Sequence, residues 1–173
     1  MNGDRDGSRT SDGVRRDLNG RPVAPGRWHR VRNLFRPAAV DEPLDRADTS
    51  LVVVAESGDE AEASSAVLAT SAWRVDEEVV LRHVLRLPAQ RVPDAVATAA
   101  LSGYRRLDSG PDVGPEVADA NMADPTVTVT LARVQMLDAV HLSQERSRMA
   151  SLGSRHGGLV VGWQVLQRPV GDR

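Results

Sequence analysis

The hydrophobic pattern along the chain is strongest after residue 79. Val79, Leu81, His83, Leu85 and Leu87 share one parity, and Val80, Arg82, Val84 and Arg86 the other. That alternation predicts a half-buried strand, open on its arginine side. Residues 126–134 repeat it, with Val127, Val129 and Leu131 opposed to Thr126, Thr128 and Thr130. Residues 159–167 form a third strand pattern, with Leu159, Val161, Trp163 and Val165 on one face. Residues 89–102 instead place Val92, Val96, Ala99 and Ala100 at helical spacing and stop at Gly103. Residues 104–107 make a short strand, and 137–156 a long helix closed by Gly157-Gly158. Upstream, 51–54 is a short apolar strand, and Ser57-Gly58-Asp59 starts an alanine-rich helix over 60–72 with Val67 and Leu68 inward. From residue 79 the order is β-α-β-β-α-β. The expected fold is therefore α+β: a ferredoxin-like split βαβ sandwich (βαββαβ) with an extra N-terminal β-α unit.

The first 48 residues have another character. Residues 1–26 carry hardly any apolar side chains and are expected to be disordered. Over 27–36 the spacing predicts a short amphipathic helix, with Trp28, Val31, Leu34 and Phe35 on one face and His29, Arg30, Arg32 and Arg36 on the other. So short a helix is marginal alone. It is a solvated tail, a helix docked on its own domain, or a docking helix for a partner. Its size favours protein or RNA over lipid. Residues 37–49 are a linker, which leaves 49–170 as a single domain in this chain of 173 residues.

Charge sharpens the division. All 22 basic residues are arginine and the net charge is −2, yet residues 15–36 hold seven arginines against one aspartate. Such a stretch attracts anions and permits non-specific RNA contact. The domain itself is mildly acidic, which disfavours a nucleic-acid surface across it. The sheet also lacks the aromatic display on which RNA bases stack. No apolar run approaches the roughly 20 residues of a membrane span, and the polar N-terminus lacks a signal-peptide core. A cytoplasmic protein is expected.

Chemistry is sparse. With no cysteine, thiolate metal sites and thiol nucleophiles are excluded. His29, His83, His141 and His156 show no metal-ligand spacing. No nucleophile elbow, Walker sequence or dinucleotide fingerprint occurs. Neither enzyme activity nor a metal or cofactor is expected. His83 should be buried and hydrogen-bonded, His141 should lie on a helix surface, and His156 should sit at a helix C-terminus. Residues 108–125 contain five acids and no basic residue. Asp108, Asp112, Glu116 and Asp119 are the candidate contacts for an arginine-rich partner. Trp28, Arg30, Arg32 and Phe35 are a second candidate contact set. Trp163 belongs to the core, with a partner-anchoring role as the alternative.

Residues 83–107 pair a strand with a helix that ends in Gly103-Tyr104. Residues 126–163 add a Val/Thr strand, a long charged helix and Gly162-Trp163. Over approximately residues 77–168 this resembles the RraB family, protein inhibitors of the endoribonuclease E. The family's Tyr and Asp before Gly-Trp are Val160 and Val161 here. The resemblance implies a non-catalytic regulator that binds an RNA-degrading enzyme. The alternatives are a ribosome- or RNA-associated factor using the arginine-rich tail, and a small-molecule-sensing ferredoxin-like domain.

Overall fold

A computed structural model of the protein describes residues 16–23, 44–107 and 125–171. The helix expected over 27–36 and most of the acidic stretch after Leu107 lie outside them. Among the described residues the elements are β1 (Val52–Ser57), α1 (Ser64–Thr70), β2 (Val79–Pro88), a 3-10 turn (Ala89–Arg91), α2 (Val92–Ala100), β3 (Arg105–Leu107), β4 (Thr126–Gln135), α3 (Ala139–Arg155) and β5 (Leu159–Gln167). The strands form one sheet in the order β1-β5-β2-β4-β3, every neighbour antiparallel. The class is α+β.

Local chemistry fixes the helix ends. Asp138 caps α3 by accepting the His141 N–H at 2.7 Å, and Gly157 closes it at φ +73°. Gly103, at φ +81°, ends the helical turn after α2 and sends Tyr104 inward. Helix α1 is shorter than expected, because residues 59–62 form a separate loop whose carbonyls are bound elsewhere.

The three helices cover one face of the sheet. Leu85, Leu87, Val129 and Leu131 pack against Ala95, Ala99, Met149 and Leu152. Beside them Leu81, Trp163 and Val165 meet Val67, Leu68 and Leu142. Burying each such leucine is worth about 1.5–3 kcal/mol before entropy is counted.

Three expectations need correction. The second face of the sheet is not simply open: Leu44 and Leu51 pack there with Val80, Ala132, Val134 and Leu166. Part of the expected linker is thus structural, and the half-buried Arg82 guanidinium donates to the Arg46 carbonyl at 3.4 Å. Strand β5 does not alternate throughout. Its register against β2 passes from Gly162 to Val160, so Val161 is an extra residue in a β-bulge. Val160 rather than Val161 then faces Leu85, and Leu159 turns to solvent. Finally, residues 1–26 are expected to lack stable contacts, and the part of them that is described, 16–23, departs from this. Residues 16–23 form a turn closed by an Arg16–Pro22 bridge, with the Arg16 N–H donating to Glu78 Oε1 at 2.6 Å and the Met136 N–H to the Asp17 carbonyl at 3.2 Å.

Candidate functional site

Two features concentrate polar chemistry. The first is a buried cluster between the sheet and α3. It takes His83 from β2, Tyr104 from the turn before β3, Arg133 and Gln135 from β4, and Glu145 from α3, all buried. The Tyr104 hydroxyl donates to Glu145 Oε2 at 2.9 Å, and Arg133 Nη2 lies 3.0 Å from Glu145 Oε1. The half-exposed Arg148 donates to the same Oε1 at 2.6 Å. Arg133 also donates to the Ser102 carbonyl at 2.8 Å and to Gln135 Oε1, and its guanidinium stands 4.9 Å from the Tyr104 ring centre. A buried ion pair adds little net stability over apolar packing, but losing one partner strands the other charge. The cluster therefore fixes how β4, the β3 turn and α3 sit together.

The local electrostatics follow from burial. Burial pushes the Tyr104 hydroxyl well above its ordinary range, and the Glu145 charge adds to the shift. Burial also lowers His83 from 6.5 to about 3, with the Arg133 and Arg146 cations reinforcing it. Both His83 ring nitrogens lack a hydrogen-bond partner, so the residue is buried as expected but not hydrogen-bonded. It is a neutral edge-on neighbour of Tyr104, 5.8 Å between ring centres.

The second feature is a groove of ≈ 1180 Å³ between the 58–63 loop and α3, with the start of β5 along its base. Arg146 organises it. Its Nη1 donates to the Glu62 carbonyl at 2.6 Å and to Ser64 Oγ at 3.0 Å. Its Nη2 donates to the Asp59 and Glu60 carbonyls at 3.0 and 2.9 Å. The same guanidinium lies 5.7 Å from the Trp163 ring centre. One side chain thus ties the loop to α3 above the tryptophan.

A smaller hollow of ≈ 520 Å³ lies where the N-terminal turn meets Val75 and the start of α3. His141 is partly buried there, with Nδ1 2.9 Å from Asp138 Oδ2. Desolvation raises the Asp138 carboxyl, but hydrogen bonds from His141 and Val140 outweigh it and hold the group below the ordinary range.

Of the sequence-derived site residues, only Trp163 is among those described. It is 3% exposed and belongs to the core. Asp108, Asp112, Glu116, Asp119, Trp28, Arg30, Arg32 and Phe35 lie outside the described residues. Arg133, Glu145 and Arg146 were not singled out from the sequence. Arg133 does continue the inward parity of Val129 and Leu131, and Glu145 interrupts the apolar stripe of Leu142, Met149 and Leu152. Opposite charges breaking two apolar patterns were the available signal.

Among the described residues no group of three or more His, Cys, Asp or Glu is placed to hold a metal ion, and no helix is long and apolar enough to cross a membrane. No family model matches the chain, and neither a curated protein nor a solved structure matches it.

Proposed function

We propose that this chain is a cytoplasmic regulatory binding protein without chemistry of its own, acting on an RNA-processing enzyme in the manner that the RraB resemblance implies. The observation that carries this reading is how the reactive side chains are employed. Tyr104, Arg133 and Glu145 bind one another beneath α3, where they hold the fold rather than face a substrate. The strand order β5-β2-β4-β3, with α2 and α3 as its two crossing helices, supports a ferredoxin-like core to which β1 and α1 are added. The dipeptides behind the resemblance have structural tasks that fit it. Gly103 turns Tyr104 into the cluster, and a Cβ on Gly162 would stand 2.9 Å from the Ser57 carbonyl oxygen of β1.

In this reading Asp108, Asp112, Glu116 and Asp119 meet an arginine-rich segment of the partner. Trp28, Arg30, Arg32 and Phe35 supply a second contact, and residues 15–36 add non-specific attraction for RNA. The test is affinity capture with the full chain, with and without nuclease, followed by mass spectrometry. An RNA-degrading enzyme or its assembly partners should be retained after nuclease treatment. Recovery of ribosomal partners alone, all lost with the RNA, overturns the reading in favour of an RNA-associated factor. Changing the four acids to Asn or Gln should alter stability by less than about 0.5 kcal/mol. It should also weaken capture and flatten its salt dependence. Capture with unchanged strength and salt slope removes the acidic contact.

A further inference from the structure

The groove beside Trp163 has unlike walls. Helix α3 presents Ala139, Ser143, Ser147, Ala150 and Ser154, about one small residue per turn, so another backbone can approach closely. The facing loop carries Asp59, Glu60 and Glu62, all exposed. Arg146 donates to main-chain oxygens of that loop and to Ser64, not to the three carboxylates. The wall therefore keeps its negative character. Val140 and Leu159 line the same groove and are 63% and 54% exposed. Trp163 lines it as well, and its indole N–H, nearly wholly buried, has no hydrogen-bond partner. Exposed apolar side chains beside an unpaired donor are features of a contact surface awaiting a partner.

We propose that this groove binds an arginine-rich amphipathic helix of a protein partner. The apolar stripe of that helix lies on Val140 and Leu159, and its arginines face Asp59, Glu60 and Glu62. From Ala139 to Ser154 the groove wall rises about 22 Å, which accommodates roughly four helical turns. The proposal rests on the binding-protein reading and adds a second acidic surface, distinct from the stretch after Leu107.

The probe is a fluorescein-labelled synthetic amphipathic peptide of about four helical turns, unrelated in sequence to this chain, with a leucine stripe on one face and four arginines on the other. Its control has the same composition, scrambled so that the apolar residues share no face. Both are titrated into the full-length chain by fluorescence anisotropy. The variants are Asp59→Asn/Glu60→Gln/Glu62→Gln, which removes charge, and Ala150→Trp, which fills the groove, each checked for wild-type melting. The ordered peptide should bind the wild type, and either variant or the scramble should weaken binding at least about tenfold. Wild-type affinity in the triple variant, or equal binding of the scramble, overturns the proposal. So does binding seen only after Arg30→Glu/Arg32→Glu, because the occupant is then the chain's own segment. Capture from extract that survives the triple variant but fails with the acidic quartet rejects the groove alone. Peptide binding without any captured enzyme or assembly partner rejects the regulatory reading and leaves the groove standing.

Discussion

His83 makes the fold sensitive to acid. The unfolded chain binds a proton at an ordinary histidine value, near 6.5, while the folded chain resists it to about 3. The folded-state value is depressed, so this contribution to stability is complete above pH 6.5 and is lost as the pH falls towards 3. The slope in that window reaches about 1.4 kcal/mol per pH unit. His83→Leu removes the titrating group and both unpaired nitrogens. The variant should match or exceed wild-type stability above pH 6.5 and show a flatter acid limb in urea unfolding followed across that range. Curves that stay parallel would mean that His83 takes up its proton in the folded state. The residue's inward position was legible from the parity of β2. Its missing hydrogen bonds were not, since strand parity gives a direction without the neighbours that arrive from β4 and α3.

Among the elements, β5 depends most on residues without side chains. Gly158 passes so close to β2 that a Cβ there would collide with the Arg86 carbonyl and Leu87. Gly157 has φ +73°, but its nearest neighbour to such a Cβ is the Pro88 Cγ at 3.7 Å. Gly158→Ala should destabilise by more than about 2 kcal/mol, because backbone must move. Gly157→Ala should cost only about 1 kcal/mol of backbone strain. Equal midpoints in chemical denaturation would show that β5 can shift away from β2 at little cost. The glycine pair was readable as a helix stop, and the helix-and-strand order was readable from period alone. The bulge at Val161 was not, because Val160 and Val161 are the same residue type and either parity satisfies the pattern. The end of α1 escaped for another reason: Arg146, more than eighty residues away, binds the loop carbonyls.

For the molecule as a whole, closure depends on segments far apart in sequence. Residues 16–23 look like part of a polar tail, and their anchoring was illegible because it uses single backbone bonds instead of an apolar pattern. Removing residues 1–23 should lower stability by about 1 kcal/mol and raise hydrogen exchange at the Met136 amide. Unchanged melting and exchange would show the turn to be incidental. The groove was equally hidden, since its walls come from a loop before β2 and a helix after β4. The pairing of β1 sets a different constraint, one of timing. Val52 lies opposite Gln167, and β1 has no other strand partner among the described residues. A ribosome makes β1 before β2, β3 and β4, but the strand that must receive it follows α3. During synthesis, roughly a hundred residues separate the two halves of that pair. A chain arrested before Leu159 would hold β2, β4 and β3 together while β1 stayed open to proteases and to chaperones.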